Sequence, residues 1–312
     1  MTDSVPPPTF EALETEVMAS FGAADYDAAI ELLDAHAARF PANLANTAYL
    51  RACLEVRRGN QDAAIGALRG ALDDGLWYSE PVLRQSPSLQ PLQGAAAYES
   101  LVAAFAERPP AEATATEPMV ARPRGEARGL LVAFHGNGQS ARHAIDAWRP
   151  LNEAGWIVAA PHSSQMLHSA GAVWDDAATA RADVLRQAPR LAELRVGSMP
   201  TIVAGFSLGA DLALWSGLSD TVPARGMLLI GPTGFLPDDP AWEGLQSAMP
   251  GRQIVVLLGT ADEAVSAAAV ERLVEQLRVE GASVALDRIE GLAHAYPPVE
   301  LRQRAVEALA YP

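Results

Sequence analysis

The stretch TIVAGFSLGADLALW, Thr201 to Trp215, decides how the second half of this chain is interpreted. It begins as an apolar run of strand length, and after GFSLG it continues with apolar residues at helical spacing. Gly205 and Gly209 flank the junction although glycine weakens both strands and helices. A turn with closely approaching backbone segments would require both glycines and would hold the Ser207 hydroxyl above the strand end. The stretch therefore predicts a strand, a sharp turn and a helix, with Ser207 as a candidate nucleophile.

Further apolar runs of strand length surround this stretch, and amphipathic helical patterns lie between most of them. Alternation of this kind predicts a parallel sheet with helices on both faces, and nearly unbroken apolar strands would be buried on both sides. We therefore expect an α/β fold with a doubly wound, mostly parallel sheet, with at most one more strand before these runs, near residues 119–120. Ligand sites of such sheets lie beyond the carboxyl ends of the strands. The runs are LLVAF (130–134), WIVAAP (156–161), TIVAGF (201–206), GMLLIG (226–231), QIVVLLG (253–259) and SVALDRI (283–289).

Two further residues at predicted strand ends could activate the serine. A hydroxyl is a weak nucleophile that needs a base, and His294 follows the last predicted strand in GLAHAYP. Asp262, in LLGTAD after the preceding strand, could orient that imidazole. The chain order Ser207, Asp262, His294 is the order that serine hydrolases with this strand–turn–helix junction use. We predict a Ser-His-Asp triad formed by these three residues.

The segment HGNG, His135 to Gly138, directly follows the first long strand, where such enzymes carry their oxyanion loop. We expect the backbone N–H groups of Asn137 and Leu208 to be the oxyanion donors. His135 could be a second base or a structural histidine bonded to the loop backbone, and the second role is favoured. Met166 and Trp174, on the loop after WIVAAP, are candidates for an acyl pocket, with plain packing as the alternative.

With these motifs, residues from about 128 to 312 resemble an α/β-hydrolase of the carboxylesterase, phospholipase and acyl-thioesterase branch, with some likeness to dienelactone hydrolases. The resemblance implies two-step acyl transfer to water through an acyl-enzyme, without a metal or organic cofactor. Ser207 excludes the cysteine nucleophile of dienelactone hydrolases. No long lid insertion is visible, which disfavours interfacial lipase activity. The motifs that carry the resemblance are HGNG, APHSS with GAVWDD, GFSLGADLAL, GTADEAV and GLAHAYP.

The first part of the chain has a different pattern. From about residue 10 to 105 it is alanine-rich, and the segment DAAI at 27–30 recurs 35 residues later at 62–65. This offset is close to the ~34-residue tetratricopeptide period, and the region resembles a tetratricopeptide-like helical array. The resemblance implies a peptide- or protein-binding surface, and a rigid cap or dimer surface is the alternative. We predict a helical domain at 1–108, a Pro/Ala/Thr/Glu-rich linker at 109–118 and a hydrolase domain at 119–312.

Composition excludes several classes of protein. All 23 basic residues are arginine, so Schiff-base chemistry and a P-loop lysine are excluded. The net charge of −15 argues against nucleic acid and anionic membrane surfaces as partners. The single cysteine, Cys53, can form neither an internal disulfide nor a Cys/His zinc cluster. No apolar run reaches the ~20 residues of a membrane span, and no secretory signal is visible, so we expect a cytoplasmic location.

The sequence thus favours a serine esterase or thioesterase whose substrate is a small-molecule acyl ester or thioester. Two alternatives stay open at this point. The helical region could bind a peptide or protein partner while the hydrolase half serves as an inactive scaffold, although all three triad residues are retained. The enzyme could also be a serine peptidase, which rates on matched amides and esters would distinguish.

Overall fold

The computed structural model describes residues 10–234 and 236–311, which fall into two compact units. The first unit contains residues 10–111 together with 166–171, and the second contains the remaining described residues from 112 onward. Residues 1–9 and 312, at the outer ends of the two predicted domains, and residue 235 lie outside the described residues. The grouping differs from the predicted domain division at 166–171, a segment that the sequence assigns to the hydrolase domain.

Backbone hydrogen bonds explain why 166–171 groups with the helical unit. The Ser79 N–H donates to the Leu167 carbonyl over 2.8 Å, and the Ser169 N–H donates to the Trp77 carbonyl over 2.9 Å. The Trp77 N–H in turn donates to the Ser169 hydroxyl over 2.6 Å. Partners more than 80 residues apart in sequence cannot be recognised from local patterns, so the sequence did not indicate this grouping.

The described part of the first unit is built from helices, and its strand residues lie within 166–171 apart from an isolated bridge at Tyr78. Helix α1 packs on α2 and helix α3 packs on α4, so the chain forms successive helix pairs. Three 3-10 turns, at Ala37–Arg39, Pro41–Asn43 and Gln90–Leu92, lie between helices. The helices are α1 (Phe10–Gly22), α2 (Tyr26–His36), α3 (Leu44–Arg57), α4 (Gln61–Asp73), α5 (Glu80–Gln85) and α6 (Ala96–Ala106).

The repeated DAAI segment begins the second helix of each pair. Asp25 caps α2 by accepting from the Ala28 N–H, and Asn60 caps α4 by accepting from the Ala63 N–H. Both side chains satisfy an N–H group of the first helical turn, which would otherwise lack a partner. The two caps are 35 residues apart, as are the repeated segments. The structure therefore gives the repeat a local physical basis, whereas a tetratricopeptide-like identity and a peptide-binding surface stay predictions.

The second unit contains the predicted sheet. Seven strands have the order β1-β3-β2-β6-β7-β8-β9, in which β1 is antiparallel to β3 and every other described pair is parallel. The predicted doubly wound, mostly parallel α/β fold is thus confirmed. The strands are β1 (Met119–Ala121), β2 (Gly129–Phe134), β3 (Trp156–Ala160), β6 (Thr201–Phe206), β7 (Gly226–Ile230), β8 (Gln253–Gly259) and β9 (Ser283–Ile289), with the short pair β4 (Met166–His168) and β5 (Gly171–Ala172) outside the sheet.

Helices cover both faces of this sheet. Alternate residues of each buried strand point to opposite sides, so apolar strands need a covering layer on each face. In β2, Leu130, Val132 and Phe134 join one core cluster, whereas Leu131 and Ala133 join the other. The first cluster includes side chains of α9, α10 and α12, and the second includes side chains of α7, α8 and α13. These helices are α7 (Ala141–Ala147), α8 (Arg149–Glu153), α9 (Ala177–Glu193), α10 (Leu208–Leu218), α12 (Ala267–Val279) and α13 (Val299–Ala310), and the short α11 spans Trp242–Leu245.

None of the helices in the described part of the chain combines the length and the apolar character that crossing a bilayer requires.

Candidate active site

Ser207 occupies a strained turn between β6, which ends at Phe206, and α10, which begins at Leu208. Its φ of 55° and ψ of −131° are unusual for a residue with a side chain. The Ser207 N–H donates to the Ile230 carbonyl at the end of β7 over 2.9 Å, which fixes the turn against the neighbouring strand. The sequence prediction of a strand, a sharp turn and a helix is confirmed here.

The two glycines that flank this turn are required by close backbone contacts. A Cβ on Gly205 would lie 2.1 Å from the Gly209 carbonyl oxygen, and a Cβ on Gly209 would lie 2.2 Å from the His135 carbonyl oxygen. Both distances are far below van der Waals contact, and backbone atoms cannot rotate away as a flexible side chain can. The strand, the helix and the segment after β2 can therefore pack this closely only because neither position carries a side chain.

Ser207, His294 and Asp262 form a continuous chain of hydrogen bonds. The imidazole Nδ1 of His294 lies 2.8 Å from Asp262 Oδ2, and its Nε2 lies 3.0 Å from Ser207 Oγ. A carboxylate only accepts, so Nδ1 carries the proton and Nε2 is left to accept from the serine hydroxyl. The Asp262 side chain is 3 % exposed and that of His294 is 23 % exposed, so the carboxylate is shielded while the imidazole stays accessible.

The loops after β8 and β9 position the acid and the imidazole. Asp262 Oδ1 accepts from the backbone N–H groups of Ala264 and Val265 at 3.0 and 3.2 Å, so both carboxylate oxygens have partners. The Ala261 N–H donates to the Leu292 carbonyl over 3.0 Å, which joins the two loops. The His294 ring packs on the Phe206 ring with 4.7 Å between centroids. These contacts hold the imidazole between carboxylate and hydroxyl.

The segment after β2 offers the second part of the site. The Asn137 side chain donates to Asp175 Oδ1 over 2.5 Å and accepts from the Trp174 N–H over 2.9 Å, which anchors the loop. Among the described residues, the backbone N–H groups of Asn137 and Leu208 have no acceptor. Leu208 is the first residue of α10, where N–H groups lack intrahelical partners and the helix dipole favours negative charge. Both groups are therefore available to an oxyanion.

His135 makes the contact with the loop backbone that is expected of a structural histidine. Its ring is fully buried, its Nδ1 lies 2.9 Å from the Gly136 carbonyl, and it stacks on Trp174 with 4.7 Å between centroids. Burial lowers the pKa of His135 to about 4, so the imidazole is neutral at neutral pH. The Trp174 indole N–H donates to the His135 carbonyl over 2.9 Å. The pair therefore braces the loop that carries Asn137.

A cavity of about 220 Å³ lies in the second unit beside this site. Leu208, which follows Ser207, and Trp174, which is bonded to Asn137, both line it, whereas Met166 does not. Met166 lies in β4, in the segment that groups with the helical unit, so the structure does not place it with Trp174 as a pocket residue. Other lining side chains are Leu212, Trp215, Leu236, Arg181, Asp211 and Asp239.

Asp211 is a lining residue that sequence reasoning missed. The signal that could have revealed it is its position, because it is the single charged residue of the otherwise apolar helix segment LGADLALWSGL. Charged side chains are rarely placed in such segments without a role or a partner. No group of three or more His, Cys, Asp or Glu side chains suited to a metal ion occurs among residues 10–234 and 236–311.

Comparisons with known proteins agree with this fold. Residues 115–308 match the family model described as phospholipase/carboxylesterase, and residues 9–114 match a model described as the N-terminal domain of A/B hydrolase-like proteins. The second match therefore assigns the first part of the chain to a domain that is described as N-terminal in A/B hydrolase-like proteins. Among proteins of curated function, no relative matches the sequence significantly.

Solved structures show the same architecture at low sequence identity. An uncharacterized protein from Bacillus cereus is 23% identical and covers 95% of this chain and 98% of its own, with a TM-score of 0.52. The esterase PE8 is 21% identical over 62% of this chain and 97% of its own, with a TM-score of 0.51. TT1662 from Thermus thermophilus is 22% identical over 62% of this chain and 94% of its own, with a TM-score of 0.52. These likenesses concern the fold, whereas the family match spans most of the chain, and the protein therefore belongs to the phospholipase/carboxylesterase family of α/β-hydrolases.

Proposed function

We propose that this hydrolase cleaves small carboxylic esters or thioesters, with Ser207 as the nucleophile, His294 as the base and Asp262 as its orienting acid. The observation that carries the proposal is the unbroken hydrogen-bond chain from Asp262 through His294 to Ser207, with distances of 2.8 and 3.0 Å. A general base has to lie within hydrogen-bond reach of the proton that it removes, and His294 Nε2 meets this condition.

The proposed reaction has two steps. His294 takes the hydroxyl proton while Ser207 Oγ attacks the acyl carbonyl, and the imidazolium then gives the proton to the leaving alcohol or thiol. Asp262 holds Nδ1–H in place and stabilises the imidazolium. Water, deprotonated by the same imidazole, then attacks the acyl carbonyl, and the imidazolium returns the proton to Ser207 Oγ as the bond from Oγ to the acyl carbon breaks and the acid leaves. The backbone N–H groups of Asn137 and Leu208 are the proposed donors to the oxyanion in both steps.

The first test is covalent labelling. The wild-type protein and Ser207→Ala are treated with a fluorophosphonate probe and weighed intact, with Ser219→Ala as the matched control. Ser219 is an exposed serine just beyond the other end of α10, so its loss should leave labelling unchanged. We expect one adduct on the wild type and on Ser219→Ala, and none on Ser207→Ala.

Turnover of matched esters, thioesters and amides then defines the reaction class. Removal of Ser207 should lower turnover by a factor on the order of 10⁶, because nucleophile and base act as a unit. Wild-type protein that is folded but takes no adduct would contradict the proposal and favour an inactive hydrolase half. Comparable rates on amides and esters would instead favour a peptidase.

A further inference from the structure

Asp211 lies four residues after Ser207 in α10, and the proposed reaction gives it no part. The Thr233 backbone N–H and hydroxyl both donate to Asp211 Oδ2, over 2.9 and 2.8 Å. Oδ1 is buried and has no hydrogen-bond partner among the described residues. Buried carboxylate oxygens are rarely left in this state, because an unpaired buried acceptor costs free energy. One acceptor of Asp211 is therefore uncommitted.

The other charged side chains of the cavity are engaged with each other or with the loop. Arg181 forms an ion pair with Asp239 at 2.6 Å and lies over the Trp215 ring, 5.6 Å from its centroid. Asp175 accepts from the Asn137 side chain. Asp175 is exposed to solvent, so Asp211 is the charged cavity residue, among those described, whose unpartnered oxygen is buried.

The charge and size of the cavity restrict what could meet this acceptor. Arg181 opposes three aspartates, Asp175, Asp211 and Asp239, so the fully ionised cavity has a net negative charge. Burial raises the pKa of Asp211 to about 6, which still leaves it mainly ionised at neutral pH. A volume of about 220 Å³ is smaller than the ~300–1,000 Å³ of pockets for drug-sized ligands. The cavity therefore suits a short, mainly apolar group with a hydrogen-bond donor, and it disfavours anions.

Leu208, which follows Ser207 in the chain, and Trp174, which is hydrogen-bonded to Asn137, border the cavity, whereas Ser207 and His294 do not line it. We propose that it receives the acyl group of the substrate and that Asp211 selects short acyl groups that carry a hydrogen-bond donor, either a hydroxyl or an ammonium group. This inference rests on the proposed esterase function and assigns its substrate class. Asp211 acts here as a specificity residue and takes no part in bond breaking.

The experiment compares kcat/KM for methyl esters of one chain length: hexanoate, 6-hydroxyhexanoate, 6-aminohexanoate and the monoester of adipic acid. The shorter methyl esters, butanoate and 3-hydroxybutanoate, test whether the cavity fits a shorter acyl chain. We expect the wild type to favour the hydroxy or amino ester over the plain ester by about 10- to 100-fold, the range for one hydrogen bond to a charged acceptor. The adipate monoester should be the poorest substrate. The better of the hydroxy and amino esters identifies the donor.

Variants of Asp211 separate selection from catalysis. Asp211→Asn keeps an acceptor for Thr233 and replaces the unpartnered oxygen with an NH₂ group, so the donor preference should disappear and methyl 3-oxobutanoate should improve relative to 3-hydroxybutanoate. Asp211→Leu should favour the plain esters. Asp220→Asn is the matched control, because Asp220 pairs with Arg252 outside the cavity and has a φ of 54°, which asparagine tolerates. It should keep the wild-type substrate ratios.

A binding measurement keeps this inference separable from the proposed function. Ser207→Ala, with and without Asp211→Asn, is titrated calorimetrically with methyl 6-hydroxyhexanoate, methyl 6-aminohexanoate and methyl hexanoate. Tighter binding of the hydroxy or amino ester that requires Asp211 supports the inference even if turnover is absent. Equal binding of all three, no measurable binding, or equal kcat/KM values overturn it, while fluorophosphonate labelling of Ser207 would still support the proposed function. Loss of labelling together with a retained binding preference would overturn the proposed function alone.

Discussion

Two neighbouring regions of the hydrolase unit use a buried aspartate in opposite ways. At the strand ends, both oxygens of Asp262 accept hydrogen bonds, one from His294 and the other from two backbone N–H groups. In the cavity beside α10, Asp211 has one oxygen bonded to Thr233 and the other without a partner among the described residues. A fully partnered carboxylate orients what it touches, whereas a partly partnered one keeps an acceptor for a ligand. The proposed roles differ accordingly, with positioning assigned to Asp262 and recognition to Asp211.

The largest expected effect tests the positioning role of Asp262. Asp262→Asn keeps the shape of the side chain but allows the imidazole to take the wrong tautomer, so kcat on a simple ester should fall on the order of 10⁴-fold. Steady-state kinetics on methyl butanoate measures it. Asp287→Asn, which alters an exposed aspartate of β9, should match the wild type. A fall of less than tenfold in Asp262→Asn would show that Asp262 does not hold the imidazole, and the contrast with Asp211 would lose its basis.

The next largest effect concerns stability at the Ser207 turn. The turn is fixed by backbone contacts, whereas the cavity with Asp211 is lined by side chains. Gly205→Ala places a Cβ 2.1 Å from the Gly209 carbonyl oxygen, so the free energy of unfolding should fall by about 3 kcal/mol or more. In the control Gly70→Ala, within α4, the new Cβ meets no atom within 4 Å. Alanine also favours the helix by about 1 kcal/mol, so the net change should stay within about 1 kcal/mol. Urea denaturation measures both variants, and equal losses would contradict the distinction.

The smallest expected effect concerns the pH dependence that Asp211 contributes. Its pKa is raised to about 6, so the folded state holds the proton more tightly than the unfolded chain does. Stability from this group is therefore present at low pH and is lost as the pH rises from about 4 to about 6. The free energy of unfolding of the wild type relative to Asp211→Asn should fall by roughly 2–3 kcal/mol over that interval.

Urea titrations of both proteins at several pH values measure this difference. Burial lowers the pKa of His135 to about 4, and the effect of this group on stability has the opposite sign. Its contribution to stability is lost as the pH falls below the usual pKa of histidine. That contribution is common to both proteins and cancels in the comparison. If the difference in unfolding free energy between the two proteins does not change with pH, Asp211 is solvated and titrates like an exposed carboxylate.

Much of this architecture follows from local sequence patterns. The predicted runs at 201–206 and 253–259 coincide with β6 and β8, because strands of a covered parallel sheet are apolar runs of characteristic length. The run at 283–289 also coincides with a strand, β9, but this edge strand is exposed or half-buried and not covered on both sides as expected. Gly205 and Gly209 mark the turn at Ser207, since only glycine permits the backbone approach found there. The rule that sites lie at the carboxyl ends of parallel strands then predicted where His294 and Asp262 would meet Ser207.

What local patterns could not supply are contacts between distant segments. Met166 and Trp174 lie on one loop in the sequence, yet only Trp174 lines the cavity, because hydrogen bonds to residues 77–79 group the segment 166–171 with the helical unit. Asp211 in the sequence is one charge in an apolar helix. Its hydrogen bonds from Thr233 and its unpartnered oxygen depend on how α10 packs against the segment after β7.

The sequence by itself determined the fold class, the turn at Ser207 and the order of the three candidate residues, because each follows from residue types and their spacing along the chain. Only the tertiary structure decided which carboxylate is satisfied and which is left with a free acceptor. Hydrogen-bond satisfaction depends on distances of about 3 Å between segments far apart in the chain, and residue type alone does not set those distances.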